Sequence, residues 1–354
     1  MPRPVRPARQ GFSRRDFLKT TGATAVAASG FPAIVKGASK EMVIGCAASH
    51  TGWMQEVVLP IFEAKYDCTL ILEGTKSTVN LEKMRGNRDA PYLSVVMMDD
   101  PVLILAAEEG VIEPMSASTV PNLGKIKPAA VHRDGMWANY QQPWCGIAFN
   151  TERVPEGVNS WAALWDETYK GRVIIPSLQN TEGMWTLFLA GHLATGKPLA
   201  EAQYEIDAAF EKVAELKPNL LTIYTQMPPS FTMLEQGEAH LLAGGFSSFA
   251  IPRRLEGAPV DLAAPAEAIC AMPSGIARVA DGPEEELALA FIDEMLGVEI
   301  QTALTPQTFS IPTNPDVAMP EGMPEGVAVF APDWGFVSAN RQAWIERWDR
   351  TMAM

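Results

Sequence analysis

Three short stretches, SHTGW, GTKST and DDP, concentrate the side chains that can do chemistry. His50, Thr51 and Trp53 bring together an imidazole, a hydroxyl and an indole, a set able to stack on a ligand cation; a surface-packed Trp53 is the alternative. Asp99 and Asp100 are neighbouring carboxylates that can pair with an ammonium group. Asp99 can equally serve as the cap of a helix opening at Pro101. Thr75, Lys76, Ser77 and Thr78 precede a helical pattern at Val79, so backbone N–H groups and hydroxyls there can hold a carboxylate, phosphate or phosphonate. SLQNTEG places Ser177, Asn180 and Thr181 the same way before Met184, and in both loops plain helix capping accounts for the same residues. Trp144, Tyr224, Phe246, Ser247 and Ser248 supply an aromatic and hydroxyl wall, with a core role equally open for Phe246.

Catalytic and metal chemistry find less support. No G-x-S-x-G elbow, Ser-x-x-Lys pair or H-E-x-x-H motif is present. His50, His132, His192 and His240 have no ligand spacing, and the tyrosines are isolated from one another. Neither glycine-containing loop matches the nucleotide-binding P-loop, so no cofactor is expected. Cys46, Cys68, Cys145 and Cys270 fit no zinc or haem pattern and read mainly as buried thiols, with a Cys145–Cys270 bridge left open.

These loops need strands to aim them. MVIGCAAS, CTLILEG and LSVVMMD read as buried strands alternating with helical patterns, one opened by Pro60 and another by Pro101. That order implies a parallel sheet whose carboxyl ends carry the three loops to one cleft. GRVIIPS, LLTIY and AHLLAGG, interleaved with helical MWTLFLAGHLATG and AEAQYEIDAAFEKVAEL, repeat the grammar as a second α/β unit.

The first residues have a different purpose. SRRDFLK follows a basic head and precedes the mild apolar run TTGATAVAASGFPAIV, which is too short to span a bilayer permanently. It matches a twin-arginine export signal, with cleavage expected near Ala38. Removing residues 1–38 takes away seven basic residues and one acid, leaving 21 against 41 and a net charge of about −20. Such acidity argues against nucleic acid as a partner. Some 315 remaining residues exceed one usual core, so two domains are expected.

PWCGIAFNTERVPEGVNSWAALWDETYKGRVIIPS then carries a resemblance. A strand ending in Asn, followed by S-W-x-x-L-W-D-x-x-Y-K-G, resembles the polyamine/iron/thiamine-type solute-binding proteins of ABC importers. LLAGGFSSFAIPRRLEGAPVDL, SIPTNPDV and DWGFVSANRQAWIERWDRTM extend the likeness over the mature chain. It implies the type II periplasmic binding protein fold: two Rossmann-like α/β lobes joined by crossover hinge strands. Lobe one would be 41–145 plus 272–315, lobe two 146–271, and 316–354 a C-terminal helical segment returning to lobe one. It further implies a periplasmic monomer with a small-molecule ligand between the lobes, and a permease and the twin-arginine translocase as partners.

By the same resemblance, His50, Thr51 and Trp53 occupy an aromatic and hydroxyl cluster of the polyamine binders, and Asp99 and Asp100 positions of ligand contact. The departures count against a long polycation. Ala271 and Pro273 stand where aromatic and acidic contacts are expected, and Ser177 and Asn180 where acids are usual, leaving Glu182 and Glu267 as substitutes. The expected ligand is therefore a small zwitterion or amine. An exported hydrolase or transferase using the same cleft, and a ligand-presenting sensor partner, are the alternatives.

Overall fold

Strand β1 (Lys40–Ala47) buries Met42, Ile44 and Cys46 on one face. It pairs in parallel with β2 (Cys68–Thr75) and β3 (Val95–Asp99). In β3, Val95 and Met97 enter one apolar cluster while Val96 and Met98 enter another on the opposite face. This is the reading expected of a sheet covered on both sides. The computed structural model describes residues 40–272, 274–320, 323 and 326–353, so the export segment lies outside the described residues.

Two helices complete the first crossovers: α1 (Leu59–Tyr66) leads into β2, and α2 (Ser77–Gly86) leads towards β3. The expectation that Pro60 opens the first helix needs correction. Helical backbone already runs from Ala48, and Met54–Val58 is wound as a wide π turn immediately before Pro60. Proline lacks an N–H and crowds the carbonyl of the preceding turn, and a widened turn relieves that conflict. Helix α3 (Asp100–Glu108) follows β3 directly, with Pro101 in its first turn.

The chain then changes sheets twice. Strand β4 (Trp137–Gln142) belongs to the first sheet, whereas β5 (Trp144–Asn150), separated from it only by Pro143, belongs to the second. The second sheet adds β6 (Val173–Pro176), β7 (Leu220–Tyr224) and β8 (Leu241–Phe246), with β8 antiparallel to β5 and parallel to β6. It also takes β9 (Val260–Ala263) and β10 (Ile269–Ala271). Three residues later β11 (Ser274–Val279) returns to the first sheet, lying between β3 and β4.

Helix α4 (Thr181–Thr195) is the spine of the second core, with ten successive residues from Glu182 to Gly191 buried. Full burial of a large apolar side chain such as Phe188 contributes roughly 1.5–3 kcal/mol. The final helix, α5 (Trp334–Met352), joins this core. Trp334 packs edge-on against Trp185, Trp344 against Phe188, and Arg347 lies 4.3 Å above the Phe210 ring. The C-terminal segment therefore does not simply return to the first lobe: its tryptophan stripe is buried in the core of the second.

Candidate functional site

The carboxyl ends of β1, β2 and β3 open onto a cavity of about 1040 Å³ between the two sheets. His50, Trp53, Thr75, Lys76, Ser77 and Asp99 line it from the first sheet. Thr181 and Phe246 line it from the second. The structure thus brings together three loops separated by some twenty residues each, because parallel strands deliver all their carboxyl ends to one edge.

One wall is aromatic. The His50 and Trp53 ring centroids are 5.0 Å apart, and Tyr140 stands 6.3 Å from Trp53. The Tyr140 hydroxyl meets His50 Nδ1 at 3.2 Å. Burial pushes the His50 imidazole down to about 4, so at neutral pH it is an uncharged ring. The wall therefore offers faces and one polar nitrogen, and no fixed charge.

The charged part lies across the cavity. Ser77 donates to Asp99 Oδ2 at 3.1 Å, while burial raises the Asp99 carboxyl, an effect opposed by that hydroxyl and by the Arg341 guanidinium. Glu182 is buried behind the opposite wall, and burial raises its carboxyl also, against the same guanidinium. The bulge in β8 helps create its niche. Gly244 adopts φ +70°, and a Cβ there would meet the Glu182 side chain at 3.4 Å. Gly183 lets α4 start close to the preceding loop, because a Cβ on it would fall 2.3 Å from the Ser177 carbonyl oxygen.

Several expected contacts are placed elsewhere. Thr51 turns its hydroxyl back onto the Ala48 carbonyl at 2.9 Å. Trp144 is fully buried with Ile251, Ile269 and Ile311. Ser177 accepts from the Gln179 backbone at 3.2 Å, and Asn180 donates to Glu182 at 3.0 Å, so both shape the loop. Tyr224 is buried, its hydroxyl directed at the Gly244 carbonyl. Ser247 is fully buried, and its hydroxyl is without a partner among the described residues. Glu267 is tied to Ser160 and the Trp161 backbone.

Asp100 needs the largest correction. Successive residues leave a strand on opposite faces, so Asp99 meets the cleft while Asp100 points the other way. Its Oδ1 accepts from Trp137 Nε1 at 2.9 Å and Asn139 Nδ2 at 2.7 Å, with His132 Nε2 at 3.7 Å from Oδ2. It borders a second cavity of about 1130 Å³, lined also by Met319, Met323, Val327, Val329 and Trp334. Burial pushes this carboxyl up to about 6.

Ser248, expected from sequence, lines the cleft too, and so do Arg341, Gln141 and Phe249, which were not singled out there. For Arg341 a signal existed. Val337, Trp344 and Trp348 form the buried stripe of α5, and residue 341 occupies the same stripe at i+4 from Val337. A cation on an otherwise apolar helix face is the unusual feature. Among the described residues no three His, Cys, Asp or Glu side chains converge as metal ligands.

With this geometry in place, likeness to known proteins becomes informative. Residues 91–340 match the model of a bacterial extracellular solute-binding protein family, and residues 11–30 match the twin-arginine translocation signal. The chain belongs to the bacterial extracellular solute-binding protein family. The signal and the family together make it a periplasmic protein exported by the twin-arginine route, and not an enzyme. It is 26% identical over 238 residues to the spermidine/putrescine-binding periplasmic protein of Escherichia coli, an alignment spanning 65% of this chain and 66% of that relative. The Salmonella typhimurium protein of the same name is 23% identical over 269 residues, 71% of this chain and 74% of the relative.

Solved structures agree on the fold. An ABC transporter protein of Clostridium perfringens superposes with TM-score 0.75 at 20% identity, covering 88% of this chain and 99% of the other. The spermidine/putrescine substrate-binding protein PotD of Streptococcus pneumoniae gives 0.70 at 16%, covering 88% and 99%. Iron-bound HitA of Pseudomonas aeruginosa gives 0.70 at 14%, covering 87% and 99%. The two-lobed type II periplasmic binding protein fold is thereby shown.

Proposed function

We propose that this protein is the substrate-binding component of an ABC importer, capturing a small zwitterionic or amine-bearing solute between its lobes and delivering it to a permease. The observation that carries the reading is the cleft itself. Asp99 from the first sheet, Arg341 from the last helix and the uncharged His50–Trp53 wall meet at one cavity, with Glu182 buried behind its far side. An ammonium group suits the carboxylates and the indole face, and an acidic group suits Arg341 and Lys76. The spermidine/putrescine-binding relatives support an amine at one end.

Capture requires movement. The chain passes between sheets at Pro143 and again between Ala271 and Ser274, so two short connections carry both lobes. A ligand touching both faces stabilises the closed arrangement about these connections. A thermal-shift screen of amines, amino acids, phosphonates and carboxylates should yield a ligand that adds about 2.7 kcal/mol at about one hundred times its dissociation constant. Solution scattering with that ligand should show compaction, and Trp53→Ala should weaken the response at least about fivefold. An unchanged radius of gyration at saturation would refute the hinged capture.

A further inference from the structure

We propose that Arg341 sets the specificity of the cleft: it supplies from within the chain the positive charge that a diamine would otherwise bring, so the site accepts a solute with its own anionic group and discriminates against bare polyamines. This rests on the solute-binding reading above and deepens it.

The argument begins with how Arg341 is held. Trp344 and Trp348, on the same face of α5, are buried in the second core and fix the helix, so the guanidinium projects into the cleft from a rigid support. Its Nη2 donates to the Gln179 carbonyl at 2.9 Å. Among the described residues no carboxylate lies within the 4.0 Å of an ion pair. A guanidinium carries five N–H donors in a planar fork. Most of that fork is therefore uncommitted and faces the cavity, the arrangement suited to a bidentate carboxylate or phosphonate.

The surrounding charge explains why the arginine is tolerated. Asp99 and Glu182 act on it from the two sides of the cleft, and its own field acts back on both. With Lys76 on the rim, the two acids are matched by two bases. A zwitterion leaves such a site balanced and satisfies both kinds of group. A diamine adds two charges to a balanced site, and the one nearer Arg341 meets a like charge in a partly desolvated cavity, where repulsion is several times stronger than in water. Removing the arginine leaves uncompensated carboxylates, and the preference should invert.

The test uses two probes of equal carbon count, putrescine and γ-aminobutyrate, which differ in carrying a second ammonium or a carboxylate. Calorimetric titration of the mature protein should show Arg341→Gln binding putrescine at least about tenfold more tightly than the wild type, a change of about 1.4 kcal/mol. The putrescine-to-γ-aminobutyrate preference should move the same way. Arg341→Lys keeps the charge and should not gain putrescine binding, which separates charge from loosened packing; matching circular dichroism and melting curves check that both variants fold. Failure of Arg341→Gln to gain putrescine binding, or an equal gain in Arg341→Lys, overturns the assignment. Either result leaves the hinged-capture reading untouched, because that reading fails only if no solute compacts the protein.

Discussion

Replacing Asp100 by Asn isolates one buried charge. In the folded protein the carboxyl is pushed up to about 6 from its ordinary 3.8, with burial as the largest cause. His132, the Asn139 amide and the Trp137 indole act in the opposite direction, and neighbouring Asp99 adds to the rise. A raised acid holds its proton in the folded state at pH values where the unfolded chain has released it. Stability from this group is therefore intact below about pH 3.8, falls as pH rises, and is fully lost above about pH 6. At about 1.36 kcal/mol per pH unit the loss is about 3 kcal/mol. An asparagine oxygen can accept the same two bonds from Trp137 and Asn139, so the variant keeps the hydrogen bonding and drops the charge. Urea unfolding followed by tryptophan fluorescence, from about pH 4 to about pH 7, spans most of this range and should show the wild type losing roughly 2 kcal/mol relative to Asp100→Asn. The difference between the proteins cancels the titrating groups that do not interact with Asp100, whereas Asp99 and His132 act on this carboxyl directly. Parallel stability curves would refute the argument that burial governs this carboxyl.

Two further outcomes are expected. The native protein should resist a thiol reagent and release four reactive thiols only when unfolded, because all four cysteines are free and buried. Cys145 and Cys270 are register partners on adjacent strands, so fewer than four thiols after denaturation without reductant would instead reveal a bridge between them. Replacing Arg14 and Arg15 by lysine should block export, and the N-terminus of the exported protein should fall between Gly37 and Met42; an exported chain retaining the arginines would contradict the signal.

Much of the architecture was legible in the chain because it depends on local pattern. Apolar runs such as MVIGCA and VVMMD, punctuated by Pro101 and by polar loops, follow the periodicity that defines buried parallel strands and their crossovers. Their carboxyl-end loops could therefore be assigned to one cleft before any contact was known, and His50, Trp53, Lys76, Ser77 and Asp99 do line it. The three-dimensional fold decided what pattern cannot. Asp99 and Asp100 are chemically alike and adjacent, yet strand alternation sends one to the cleft and the other to a buried pair of donors. Trp144, Tyr224 and Ser247 lie next to the cleft in sequence terms, but packing between sheet and helices encloses them. Arg341, nearly two hundred and fifty residues beyond Asp99, reaches the same cavity only because the tryptophans of the last helix dock in the second core. Local spacing specifies strands and loops, whereas which side chain faces solvent, ligand or core depends on contacts between segments far apart in the chain, and these are set by burial of the whole molecule.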